Sequence, residues 1–186
     1  MQTLKKLKTG TTTVGIAYKD GVVLAAESKS TLGYLVASKT AEKIIKIDDR
    51  IAITTAGGSG DTQALARILK AEINLYKLTR NTDITVKATI TLLANIMQAV
   101  RYYPYMAMLI VGGFDKDGGH IYSIDPVGGF EEEKCTSTGS GSPMAYGVLE
   151  DGFHLVRIGR EIGREIALVE LHALHDVEVG LDGFRF

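Results

Sequence analysis

Two long amphipathic segments follow one another directly in the middle of this chain, with strand-like runs on both sides. That order decides which folds are open to it. The first segment, residues 61–78, places Leu65, Ile68, Leu69, Ile73 and Tyr76 along one side. The second, residues 84–102, repeats Val86, Ile90, Leu93, Met97 and Val100 at steps of four, three, four and three. Regular alternation of strand and helix would build a parallel sheet. Strands, a helix pair, more strands and then helices again read instead as α+β. The architecture expected is two packed antiparallel sheets with helix pairs outside them.

The strand signals ahead of the helices come in pairs. Residues 12–18 and 22–26 flank Lys19-Asp20-Gly21, whose Asp-Gly suits a tight hairpin turn. Residues 43–47 and 50–56 make a second hairpin across Asp48-Asp49. Ala56-Gly57-Gly58-Ser59-Gly60-Asp61 then breaks the pattern, with Ser59 or Asp61 available to cap the next helix. Beyond the helices, residues 106–112 and 120–124 read as strands around Asp117-Gly118-Gly119, and residues 132–137 as one weaker strand. Thr138-Gly139-Ser140-Gly141-Ser142-Pro143 is a loop whose last two residues start a helix over 143–150. A further helix is expected over 156–172, where Gly159 and Gly163 each cost about 1 kcal/mol relative to alanine.

The length of 186 residues suits one domain with a sizeable core. A net charge of −1 offers no electrostatic argument for nucleic acid or an anionic membrane as partner. A single cysteine, Cys135, excludes an internal disulfide and fits a reducing compartment. Residues 1–10 carry Lys5, Lys6 and Lys8 without the apolar core of a secretory signal, and the longest near-apolar run, residues 105–114, is too short to span a bilayer. A soluble, cytoplasmic domain is expected. His120, His154, His172 and His175 show no metal-ligand spacing with nearby acids or Cys135, so neither metal nor cofactor is expected.

Chemistry gathers at a few positions. Gly10-Thr11-Thr12-Thr13 can be the start of a β-branched strand. It can also be a processing site. Cleavage between Gly10 and Thr11 would give Thr11 both a hydroxyl and a free α-amine, a base carried by the nucleophile's own residue. With a reference pKa of about 7.7–8.0, that amine works near neutral pH. Glu27 ends one apolar strand and Lys43 opens another. Half-buried charges at strand ends usually pair, so a salt bridge between hairpins is one reading. The other makes Lys43 a fixed positive charge beside Thr11, favouring the alkoxide and a neutral amine, with Glu27 orienting it. Gly57 is either a helix-entry residue or a backbone donor to an oxyanion. Ser140 is either part of a helix cap or a hydrogen-bond partner of the amine.

In order, these stretches resemble a known family. Gly10-Thr11-Thr12-Thr13-Val14-Gly15-Ile16 looks like the processing site and first strand of proteasome β subunits, especially archaeal ones. Asp20-Gly21-Val22-Val23-Leu24-Ala25-Ala26, Lys43 in its apolar strand, and Thr55-Ala56-Gly57 with Gly60-Asp61 continue the resemblance. So do Tyr103-Pro104-Tyr105-Met106, Val111-Gly112-Gly113, Ser123-Ile124-Asp125 and the 137–143 loop. It covers about residues 11–150. The resemblance implies a four-layer αββα sandwich of the N-terminal nucleophile hydrolase type. It implies a threonine endopeptidase with residues 1–10 as a propeptide removed by self-cleavage. Partners implied are other β subunits in a seven-membered ring, an α-subunit ring, a regulatory ATPase cap through that ring, and unfolded polypeptide substrates. By position, Thr11 is nucleophile and base, Glu27 and Lys43 its charged support, and Gly57 the oxyanion donor. Ser140 and Asp176 complete the network around the amine, and Ser30, Thr31, Thr55 and Ser59 line the substrate cleft. After Glu150 the match thins. Val179 stands where the family has serine, which removes a hydrogen bond worth about 0.5–1.5 kcal/mol, and Phe186 comes where members run on through further strand. The alternatives are a catalytically silent ring subunit and the bacterial two-ring protease.

Overall fold

Alternation along the strands sets the layers. The computed structural model describes residues 10–19, 21–32, 35–151 and 166–171. Residues 1–9, Asp20, His154, His172, His175, Asp176 and Val179 lie outside them. β1 (Thr13–Tyr18) and β2 (Gly21–Glu27) pair as the expected hairpin, Tyr18 opposite Gly21. With β10 (Cys135–Thr138) and β11 (Ile166–Leu171) they form a four-stranded sheet ordered β10-β1-β2-β11. The second sheet is ordered β5-β6-β7-β8-β9, from β5 (Ile44–Asp48), β6 (Ile51–Gly57), β7 (Ala107–Asp115), β8 (Gly118–Ile124) and β9 (Phe130–Glu133). A short hairpin of β3 (Ser30–Leu32) and β4 (Leu35–Ser38), with no signal in the pattern, stands apart.

The five-stranded sheet is buried on both faces, so β6 is buried almost end to end, from Ile51 to Ala56, rather than alternating. One face meets the four-stranded sheet through Val22, Leu24 and Ala26 against Ile44, Ala52, Ile110 and Ile121. The sheets approach closely at Gly15, where an added Cβ would sit 2.9 Å from Ile110, and at Gly112, where it would sit as close to both Ile121 and Leu24. The other face is covered by α1 (Ser59–Arg80) and α2 (Val86–Ala99), whose Leu65, Leu69, Ile73, Ile90, Leu93 and Met97 are fully buried. α3 (Ser142–Asp151) packs on β10 and β1, outside the four-stranded sheet. Helix, sheet, sheet and helix give the αββα order.

Four expectations need correcting. Neither Ser59 nor Asp61 caps α1: its N-cap is Gly58 without a side-chain bond, and Asp61 Oδ2 instead accepts from Met106 N at 2.8 Å. The helix stripes are narrower than their periodicity suggests, since Ile68, Tyr76 and Val100 are exposed. The single strand over 132–137 is two strands in different sheets, because the chain turns at Lys134, whose carbonyl accepts from Ala17 N at 2.8 Å. Within the region read as a helix over 156–172, residues 166–171 form β11, parallel to β2. A short, mostly aliphatic run, broken only by Glu170, satisfies either periodicity, and here strand pairing wins. The four-stranded sheet is therefore mixed rather than wholly antiparallel.

Among the described residues no helix is long and apolar enough to cross a membrane. At the β8–β9 edge, His120 Nδ1 lies 2.8 Å from Glu132 Oε1, a contact that holds the Glu132 carboxyl below its usual range. Burial, then Glu132, pushes the Tyr122 phenol up to about 12. A folded pKa above the unfolded value means stability fully present below pH 10 and lost as pH rises toward 12. Spectrophotometric titration should show one late-ionising phenol that Tyr122→Phe removes. Gly112→Val forces a side chain between the two sheets and should destabilise the fold by about 1–3 kcal/mol in denaturant titrations. Leu78→Ala, at an exposed α1 position, should stay within about 0.5 kcal/mol of the parent.

Candidate active site

The open ends of the two sheets meet at one corner, and the charged residues sit there. Thr11 and Thr12 precede β1, and Glu27 N donates to Thr12 O at 3.2 Å, extending the β1–β2 ladder by one rung. That rung places Glu27, the last residue of β2, beside Thr11. Lys43 immediately precedes β5 in the other sheet, its carbonyl held by Thr55 N at 2.8 Å. Thr11 and Glu27 thus come from one sheet and Lys43 from the other.

Lys43 is 7% exposed, and its ammonium is surrounded by oxygen. It forms an ion pair with Glu27 Oε1 and donates to Lys29 O at 2.7 Å, Thr11 Oγ1 at 3.1 Å and Gly10 O at 3.4 Å. Three N–H bonds are shared among four acceptors. A buried ammonium is tolerated only when paired and fully hydrogen-bonded, and both conditions hold. Glu27 is fixed from its other side, since Lys29 N donates to Oε2 at 2.6 Å. The Thr11 hydroxyl accepts from Lys43 and donates to Gly10 O at 2.8 Å.

The loop after β10 wraps the backbone of Thr11. Thr11 N donates to Ser140 Oγ at 3.2 Å, Ser140 Oγ donates back to Thr11 O at 3.4 Å, and Gly141 N reaches the same carbonyl at 3.1 Å. Gly139, with φ +94°, makes that approach possible: a Cβ there would overlap the Thr11 carbonyl. On the other side Gly10 N donates to Thr31 Oγ1 at 2.7 Å, so Thr31 grips the residue before the threonine. Ser30, next to Lys29 on β3, borders the same corner.

Gly57 closes β6 with φ +121°. Amide direction alternates along a strand. Thr55 N donates to Lys43 O at 2.8 Å and Gly58 N to Met106 O at 2.6 Å, on either side of Gly57 in the chain. Gly57 and Ser59 make no hydrogen bond to Thr11 or Lys43 among the described residues, and Ser59 is exposed. Thr55 is buried and joins the corner through its backbone. The pattern gave no hint of Lys29, which acts through its main chain, or of the buried hydroxyls of Thr13, Thr54 and Thr138 beneath the corner.

The αββα sandwich is of the N-terminal nucleophile hydrolase fold type. A family model described as "Proteasome subunit" matches residues 7–181, and the chain belongs to that family. Its relatives place it among archaeal β subunits. It is 57% identical to the proteasome subunit beta of Ferroglobus placidus over 80% of this chain and 71% of that protein. Identity is 53% with the Methanohalophilus mahii subunit, over 90% of this chain and 80% of the other, and 51% with the Archaeoglobus fulgidus subunit, over 91% and 79%. The family match extends well past Glu150, where the motif-by-motif resemblance thins.

Removing one partner of the buried pair strands the other. Lys43→Met should cost about 3 kcal/mol by leaving Glu27 uncompensated. Adding Glu27→Gln should recover part of that loss, a non-additivity that a double-mutant cycle on unfolding free energies would measure.

Proposed function

We propose that this chain is a catalytic β subunit: a threonine endopeptidase that frees its own nucleophile by cleaving between Gly10 and Thr11. The observation that carries the reading is the Lys43 ammonium, 3.1 Å from Thr11 Oγ1 and anchored on its far side by Glu27 and Lys29 O. A salt bridge between hairpins would need no hydroxyl there.

In self-cleavage, Thr11 Oγ1 adds to the Gly10 carbonyl carbon and its proton passes to solvent. Lys43, 3.4 Å from Gly10 O, favours the charge developing on that oxygen. Collapse breaks the bond to Thr11 N, which takes up a proton and leaves as an amine while Gly10 stays esterified to Oγ1. Water then hydrolyses the ester, and residues 1–10 depart as a propeptide. In turnover the liberated amine accepts the Oγ1 proton as the oxygen attacks a substrate carbonyl and delivers it to the leaving amine. It then takes a proton from the water that hydrolyses the acyl ester and returns it to Oγ1. Lys43 keeps the amine neutral by charge repulsion. Gly57 N–H serves the oxyanion, and Ser140 and Asp176 orient the amine. Ser30, Thr31, Thr55 and Ser59 bind substrate. Membership of the family supports a setting in a cytoplasmic particle of stacked seven-membered rings, with α subunits, an ATPase cap and unfolded polypeptides as partners.

A silent ring subunit would need none of this geometry. Thr11→Ala should abolish peptide hydrolysis while leaving assembly intact, measured with a fluorogenic peptide on the isolated particle. Activity persisting in that variant would overturn the proposal. Thr31→Val, which removes the acceptor for Gly10 N, should slow self-cleavage about two- to tenfold, followed by the mass of the subunit against time after assembly.

A further inference from the structure

Beneath the reactive corner, three threonine hydroxyls form a chain through an otherwise apolar interface. Thr54 Oγ1 on β6 donates to Thr13 Oγ1 on β1 at 3.0 Å, and Thr13 Oγ1 lies 2.6 Å from Thr138 Oγ1 on β10. Thr13 and Thr54 are fully buried and Thr138 is 5% exposed. Thr13 stands opposite Thr138 in the β1–β10 register, and Ser137 Oγ donates to Thr13 O at 2.7 Å. The neighbouring positions between the sheets carry Val22, Leu24, Ala26, Ile44, Ala52, Ile110 and Ile121, none able to hydrogen-bond through its side chain.

The location of each hydroxyl gives the chain its meaning. Thr13 is two residues after Thr11, and Thr138 is two residues before Ser140. Thr54 pairs with Ile44, the residue after Lys43. The three hydroxyls therefore join the segments that bear Thr11 and Ser140 to β6, the strand paired with the one that Lys43 precedes. Apolar contacts between sheets are non-directional and let the layers slide by tenths of an ångström. Hydrogen bonds between buried hydroxyls fix distance and angle. Replacing such a set by valines of similar shape is nearly neutral for stability, so stability alone gives little reason for three of them.

We infer that Thr54, Thr13 and Thr138 are positioning residues that hold the Lys43 sheet at its working distance from Thr11 and Ser140. The inference rests on the peptidase reading above. They touch no substrate and act through the strands. A misplacement of about 1 Å at a reacting pair can cost a hundredfold in rate, so loosening this link lowers kcat. KM changes less, because Ser30 and Thr31 lie on β3, outside the hydroxyl chain, and Thr55, the neighbour of Thr54, is held separately by its own bond to Lys43 O.

The test uses the assembled particle, with a threonine-directed covalent inhibitor to count competent sites and a fluorogenic peptide to measure turnover. Thr54→Val should lower kcat per labelled site about tenfold, with KM within about twofold of the parent, and Thr54→Ser should restore most of the rate. Parent-like kcat per site in Thr54→Val, or a serine variant no faster than the valine one, overturns the inference. If Thr54→Val does not assemble, Thr138→Val at the far end of the chain carries the same expectation and the same overturning result. A parent particle that neither labels nor cleaves overturns the peptidase reading and this inference with it. An active, labelled parent with an unaffected valine variant overturns this inference alone.

Discussion

The ammonium of Lys43 is the point on which this structure turns. It is buried, it comes from one sheet, and three of its oxygen partners, on Gly10, Thr11 and Glu27, come from the segment before β1 and from β2 in the other. A desolvated charge tolerates little freedom, because losing any acceptor exposes it to the cost of burial. The requirement to satisfy it therefore limits how far the sheets can part at that corner, where the hydroxyl chain beneath also ties them. It also brings a hydroxyl, a carboxylate and the carbonyl of the Gly10–Thr11 peptide into one small volume.

The rest of the fold supplies the rigidity this contact needs. The five-stranded sheet is packed on both faces, by helices on one side and the second sheet on the other. Gly15 and Gly112 let the sheets approach closely. The glycines at 139 and 141 let a loop close over the backbone of Thr11. The structure at the Gly10 junction is that of the uncut chain. Thr11 N is an amide donating to Ser140, the bond that a liberated amine would inherit.

How much of this the sequence discloses varies with the kind of signal. Glu27 and Lys43 stood out because a charge at the end of an apolar strand needs a partner, and they are each other's. Thr11 stood out through the glycine before it. The helix pair and both leading hairpins followed from period and turn chemistry. Lys29 could not be found, because a main-chain carbonyl leaves no mark on residue choice. Thr13, Thr54 and Thr138 read as ordinary β-branched strand residues, and only their meeting across the sheets distinguishes them. The division at Lys134 into strands of different sheets, and the strand at residues 166–171, depend on long-range pairing that no local window contains.

The central claim is that the reactive pair comes into being when the peptide bond ahead of Thr11 breaks. N-terminal sequencing of the subunit from particles that actively cleave peptides tests it most directly. The expected result is a chain beginning at Thr11. Active particles whose subunits all retain Gly10 or any residue before it would contradict the account, since the nucleophile would then have no base of its own.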